Sequence, residues 1–361
     1  MGALVWVHSN ESREGEEEDQ MSHRCLAVLL TVTAVVLLAP VPVTAQARTA
    51  TVDQPTPPRT AWGAPDLQGV WDFRSITPLQ RPEELADKEF LTEEEAANLE
   101  QETVDREERL LNRPARRTEA GASVDTGEDG ATGAYNDFWL DRGTMTIGTR
   151  RTSLIVDPPN GRIPPVTPEA EKRAETRRAY RREHPADSWE DRGMADRCMF
   201  TTGLPIVPSA YNNNVHLFQT PDHLVMLIEM THTLRVVPLD GRPHGNIRQF
   251  VGDSRGHWEG DTLVVATMNF HRLTGIRGST PNAVLVERFT RIGPDAVQYR
   301  FTVKDPETWT RPWTAEVQLT KNDEPLYEYA CHEGNYAMEG ILAGARAEER
   351  AAAQGANQGS R

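Results

Sequence analysis

The chain is poor in cysteine, in aromatic residues and in positive charge. Three cysteines stand among 361 residues, 7% of residues are aromatic, and 39 lysines and arginines face 54 acidic residues, for a formal net charge of -15. An acidic chain lacks the basic footprint that nucleic acid requires. It has no attraction for anionic lipid either. No two histidines follow a His-x-His or His-x-x-x-His spacing, and no zinc-type spacing surrounds the cysteines. No metal is therefore expected, and no cofactor. The stretch Gly252-Asp253-Ser254-Arg255-Gly256-His257-Trp258-Glu259-Gly260-Asp261 does not space its glycines as a phosphate loop and has no lysine after it. Nor is Ser254 expected as a nucleophile. Long apolar runs are scarce too. The longest, from Cys25 to Leu38, is about fourteen residues, too short to span a bilayer comfortably.

That run is an address rather than a span. Met21-Ser22-His23-Arg24 supplies a basic start, Pro40 and Pro42 break the run, and Ala45-Gln46-Ala47 or Val43-Thr44-Ala45 fits a cleavage site. This is the pattern of a signal peptide. The acidic residues Glu11, Glu14, Glu16, Glu17, Glu18 and Asp19 ahead of it suit export poorly, so translation is expected to start at Met21. The expected location is periplasmic or secreted, with no integral span after cleavage. Cys25 leaves with the leader. In an oxidising compartment Cys198 and Cys331 are expected to pair, two buried free thiols being the alternative.

The remaining organisation is a start extension and leader over 1–47, a proline-rich linker over 48–61, a single β-rich domain over 62–350 and a disordered tail over 351–361. Helical insertions are expected at 92–112, opened by the capping box Thr92-Glu93-Glu94-Glu95, and at 168–183, opened by Thr167-Pro168. From residue 211 the hydrophobic period is two. Strands are expected near 67–73, 152–156, 215–219, 224–237, 246–250, 262–270, 284–291, 296–304, 313–320 and 326–331, and a C-terminal helix from 335 to 353. Turn residues punctuate most of them. The fold class is mainly β (α+β): an antiparallel meander barrel or sandwich with peripheral helices and a C-terminal helix.

Ionisable residues interrupt these apolar strands, and a buried charge costs several kcal/mol unless paired. In 224–237 read as one strand, Glu229 and Arg235 share a face and His232 sits on the other, among apolar neighbours. The segment 252–261 is either a hairpin with a solvated rim or a catalytic loop. Candidate catalytic residues are His257, His232, Glu229 and Asp253, with a histidine of near-neutral pKa as base. Candidate binding residues are Arg235 and Arg255 for an anion or oxyanion, with Tyr211, Asn213, Trp258 and Trp313. A solvated or core role is the alternative for each of them.

Arg197-Cys198, Tyr211-Asn212-Asn213-Asn214, Pro238-Leu239-Asp240-Gly241-Arg242-Pro243-His244, the 252–265 stretch and Glu328-Tyr329-Ala330-Cys331-His332-Glu333-Gly334-Asn335-Tyr336 resemble a large family of exported bacterial proteins. The likeness covers most of 62–349 and brings no substrate or cofactor with it. Gly69-Val70-Trp71 is similar to the Gly-x-Trp of the first lipocalin strand, and the meander followed by a helix is similar to the calycin pattern. Three functions fit: a metal-free acid–base enzyme (lyase, isomerase or hydrolase) acting on a small organic substrate, a lipocalin-like carrier of a small apolar or aromatic ligand, or an envelope scaffold.

Overall fold

The computed structural model describes residues 57–112, 140–199 and 203–359. The expected leader, with Cys25, and the glycine-rich stretch 121–133 lie outside the described residues. Ten strands run in chain order: β1 (Gly69–Asp72), β2 (Ile155–Asp157), β3 (Asn214–Gln219), β4 (His223–Ile228), β5 (Thr233–Pro238), β6 (Asp253–Glu259), β7 (Thr262–Met268), β8 (Val284–Gly293), β9 (Ala296–Lys304) and β10 (Trp313–Asn322). Three helices accompany them: α1 (Glu93–Leu111), α2 (Pro168–Glu183) and α3 (Tyr336–Gly359). Among the described residues no helix is long and apolar enough to cross a membrane.

Helix starts follow their caps. Thr92 Oγ1 accepts from Glu95 N at 3.2 Å while Glu95 Oε2 accepts from Thr92 N at 2.8 Å, the reciprocal pair that opens α1. Thr167 Oγ1 accepts from Ala170 N at 3.1 Å ahead of α2. α3 continues to Gly359, so residues expected in a tail from 351 extend the helix.

The strands pair antiparallel in the order β5-β4-β3-β1-β10-β9-β8-β7-β6, with β2 off that path on β10. Two meanders result, β3–β5 and β6–β10. The short β1 joins them, because it pairs with β3 on one side and β10 on the other. Strict alternation puts Leu285, Glu287, Phe289 and Arg291 of β8, and Val297, Tyr299, Phe301 and Val303 of β9, on the buried face. An aromatic chain runs through that interior, from Phe289 to Tyr299 (ring centroids 4.9 Å apart), Phe301 (5.6 Å) and Trp313 (5.6 Å). The sheet curls into a nearly closed barrel. Its end strands β5 and β6 meet without a ladder, and Gly256 makes the approach close: a Cβ there would lie 2.6 Å from Leu239 Cδ2 and 3.0 Å from Val237 Cγ1.

The structure corrects the strand expected over 224–237. It is a hairpin, in which Met226 stands opposite Arg235 and Ile228 opposite Thr233. The residues between strands, 229–232, contain no glycine, proline, asparagine or aspartate, so no punctuation marks the turn. Residues 246–250 and 326–331 are not strands either. In the second case Tyr327 and Tyr329 give alternate N–H groups to side chains instead of to a neighbouring strand. Cys198 and Cys331 form a disulfide with Cα atoms 5.6 Å apart, across 133 residues of chain.

Candidate functional site

The residues expected to carry chemistry do not share one enclosure. Thr231 and His232, at the turn of the β4–β5 hairpin, both take positive φ, 76° and 49°. For side-chain-bearing residues this costs about 1–2 kcal/mol each. Tertiary bonds hold the turn against that cost. Glu229 Oε2 accepts from Asn214 Nδ2 at 2.8 Å, its Oε1 from Tyr327 N at 3.0 Å, and His232 Nδ1 from Tyr329 N at 3.0 Å. Tyr211 stacks on Tyr329 with ring centroids 6.4 Å apart. Glu229, His232 and Tyr211 thus fasten the segment leading to Cys331. His232 is not on an apolar strand face.

His257 points outward from β6, its side chain 60% exposed, with Nε2 3.1 Å from Glu259 Oε1. Glu259 also pairs with Arg288 at 2.9 Å, and Arg288 first, then His257, hold its carboxyl below the ordinary range. His232 precedes β5, whereas Gly256 beside His257 meets Val237 near the far end of β5. Five residues of strand, roughly 17 Å, separate the two neighbourhoods.

Buried Asp253 binds Arg255, accepts from Gly245 N at 2.8 Å and lies 3.2 Å from His244 Nδ1, while Arg255 Nε donates to Pro243 O at 3.0 Å. Both residues pin the 243–245 loop to β6. Trp258 is half-buried against the core. Trp313 is fully buried, in edge-on ring contacts with Phe301 and Trp309. Gly252, Ser254 and Gly256 do spell a Gly-x-Ser-x-Gly frame, which a nucleophile elbow needs at a strand-to-helix turn. Here β6 carries it, and buried Ser254 Oγ lies 2.9 Å from Thr267 Oγ1 on the next strand.

Inside the barrel, alternation brings Arg235 of β5 to Glu287 of β8. Arg235 Nη2 donates to Glu287 Oε2 at 2.7 Å, with side chains 1% and 0% exposed. Tyr299 Oη donates to Glu287 Oε1 at 2.8 Å and accepts from Ile206 N at 3.2 Å. Burial, then the Glu287 charge, raises the Tyr299 pKa well above 10.0. Ile206 is buried, and a Cβ on Gly203 would meet Ile228 Cδ1 at 2.5 Å. Residues 203–206 therefore run along the inward faces of β4 and β9 and occupy that space. Each carboxylate oxygen of Glu287 accepts one hydrogen bond, and the side chain is fully buried, which commits it to the interior.

The open space lies beside the barrel. A cleft of about 460 Å³ is roofed by α1 and walled by residues 75–79, Arg142, Leu154, residues 207–209 and Arg277. α1 contributes Leu99, Thr103, Arg106 and Glu107, the i, i+4, i+7 and i+8 positions of one helix face. Glu100 Oε1 fixes the helix there by accepting from Thr146 N at 2.9 Å and Thr146 Oγ1 at 2.6 Å. The floor is apolar, Leu79, Leu154, Val207 and Pro208, and Leu99 adds an apolar side chain from the roof. The hydroxyls at the rim are already used, Ser75 Oγ donating to Met145 O and Ser209 Oγ to Tyr211 O. Asn213, expected at a binding site, is buried behind the cleft. Its Oδ1 accepts from Ser209 N at 2.7 Å and its Nδ2 donates to Asp141 O at 2.8 Å, so it braces two walls at once.

No protein-family model matches the chain, and no curated protein matches it. Among solved structures it is similar to a secretary abundant heat soluble protein from Ramazzottius varieornatus, at 12% identity and a TM-score of 0.21, over 30% of this chain and 70% of that one. A likeness so slight carries no argument about function. Among the described residues, no group of three or more His, Cys, Asp or Glu side chains is placed to hold a metal ion.

Tyr299, Arg106, Arg142 and Arg277 escaped the sequence reading, and Glu287 stood out only as an acid within a strand, with no role assigned. Glu287 had a signal, an acid at an inward position between Leu285 and Phe289. The three arginines had none, because the segments that gather them are far apart in the chain.

Proposed function

We propose that this protein is a carrier-type β-barrel that binds one small, largely apolar or aromatic molecule in the cleft beneath α1, and that it works outside the cytoplasm. The carrying observation is the cleft itself: about 460 Å³ over an apolar floor, beside a barrel whose own interior is occupied. That volume falls within the span of small-molecule pockets, roughly 300–1,000 Å³. The Cys198–Cys331 disulfide supports an oxidising compartment. Acid–base catalysis has less support, since Glu229 and His232 at the β4–β5 turn lie apart from Asp253 and His257 of β6, and each is committed to a local bond.

Titration with the fluorescent apolar probe N-phenyl-1-naphthylamine tests this reading. Leu99→Trp fills the cleft from an exposed helix face, and Leu111→Trp on the same helix stays clear of it. Saturable binding at one site is expected, weakened about tenfold (~1.4 kcal/mol) by Leu99→Trp and unchanged by Leu111→Trp. Absence of saturable binding, or equal affinity in both variants, removes the proposal.

A further inference from the structure

We infer that the ligand of this cleft is an organic anion, a carboxylate carried on an apolar body and held by Arg277 together with Arg106 and Arg142; the inference rests on the cleft being the ligand site. In a chain with net charge -15, several arginines elsewhere find carboxylates: Arg74 with Asp72 and Asp141, Arg151 with Glu89, Arg242 with Asp240, Arg311 with Asp157. The three guanidiniums of the cleft have neither an ion pair nor a hydrogen bond among the described residues. The lining holds one acid, Glu107, and it pairs with none of them. The cleft is thus a net cationic hollow in an anionic molecule.

The backbone at Arg277 is held in place before any ligand arrives. It takes a positive φ of 52°, a strained conformation for a residue with a side chain. Both flanks are tied down. Ile276 is buried and its N–H donates to Ser279 Oγ at 2.9 Å, while Thr280 N donates to Asp305 Oδ2 at 2.6 Å. Arg277 is exposed, and partial burial lowers its pKa from the ordinary arginine value. A partly buried cation without a counter-charge is stabilised by an anion set beside it. The planar fork of arginine matches a carboxylate through two parallel hydrogen bonds, and the apolar floor takes the rest of the molecule.

Calorimetric titration of the full chain with 2-naphthoate, 2-naphthamide and inorganic phosphate tests the inference. Naphthoate is expected to bind at least about tenfold more tightly than the amide, which matches its shape without its charge. Arg277→Gln should bring the acid down to the amide's affinity and leave the amide within about twofold; Arg106→Gln/Arg142→Gln should weaken the acid in the same sense. Phosphate, lacking the apolar body, should not displace naphthoate at equal concentration. Equal affinity for acid and amide, or arginine variants that leave the acid unchanged, overturns the inference while the apolar cleft stands. Phosphate competing as well as naphthoate overturns the assignment to an apolar acid. Failure of both naphthalenes to bind removes the cleft reading instead.

Discussion

Arg235 and Glu287 place one charge of each sign inside the barrel, where neither reaches water. Removing one partner leaves the other uncompensated, which typically costs about 3–5 kcal/mol, whereas replacing both by apolar residues is often neutral. Glu287→Leu should therefore cost about that much in urea unfolding, and Arg235→Met/Glu287→Leu should recover most of it. A single variant as stable as the parent contradicts the pairing. Tyr299 adds a pH signature. Its folded pKa is raised, by burial first and by Glu287 second, so the unfolded chain ionises at that position before the folded one does. The resulting stability is full below the ordinary tyrosine range and is lost as pH climbs through and beyond 10.0. Absorbance at high pH should show one of the seven tyrosines resisting ionisation until the protein unfolds, and Tyr299→Phe should abolish that late step. Late ionisation that persists in Tyr299→Phe contradicts the assignment.

At the scale of elements, strand register depends on a few backbone positions. Gly252 has φ +72°, and a Cβ there would stand 2.6 Å from Thr267 Cγ2 and 2.9 Å from Met268 O. The second neighbour is backbone and cannot swing away. Gly252→Ala should cost about 2 kcal/mol or more, through both conformation and clash. A variant of parental melting temperature contradicts that geometry. Elements with their own punctuation were legible in the chain: Gly293-Pro294-Asp295 separates β8 from β9, and Glu259-Gly260-Asp261 precedes β7, close to where period and turn residues place them, whereas β6 occupies a segment expected as a hairpin rim or loop. Helix α1 was legible from Thr92 and Glu95. The β4–β5 hairpin was not, because Asn214, Tyr327 and Tyr329 from distant segments hold its turn rather than its own residues. Missing that turn also misplaced Arg235, since its inward register follows from the hairpin. The cleft arginines were illegible for a further reason: α1, residue 142 and residue 277 meet only once the barrel has formed.

For the whole molecule, an antiparallel meander closed by β1 supplies a rigid wall, and α1 with the 203–209 segment supplies what stands against it. Residues 203–209 touch both regions: Ile206 caps Tyr299 in the interior, and Val207, Pro208 and Ser209 line the cleft. The interior is thereby occupied and the recess left for a ligand lies to the side. Amide chemical shifts followed by NMR during titration with 2-naphthoate test that arrangement most directly. The account predicts saturable shifts at Thr77, Gly143, Val207 and Arg277, with Met226, Leu285, Phe289 and Val317 of the barrel interior unmoved. Shifts concentrated on those interior strands, or on His257 and Glu259 of the outer face, would contradict it.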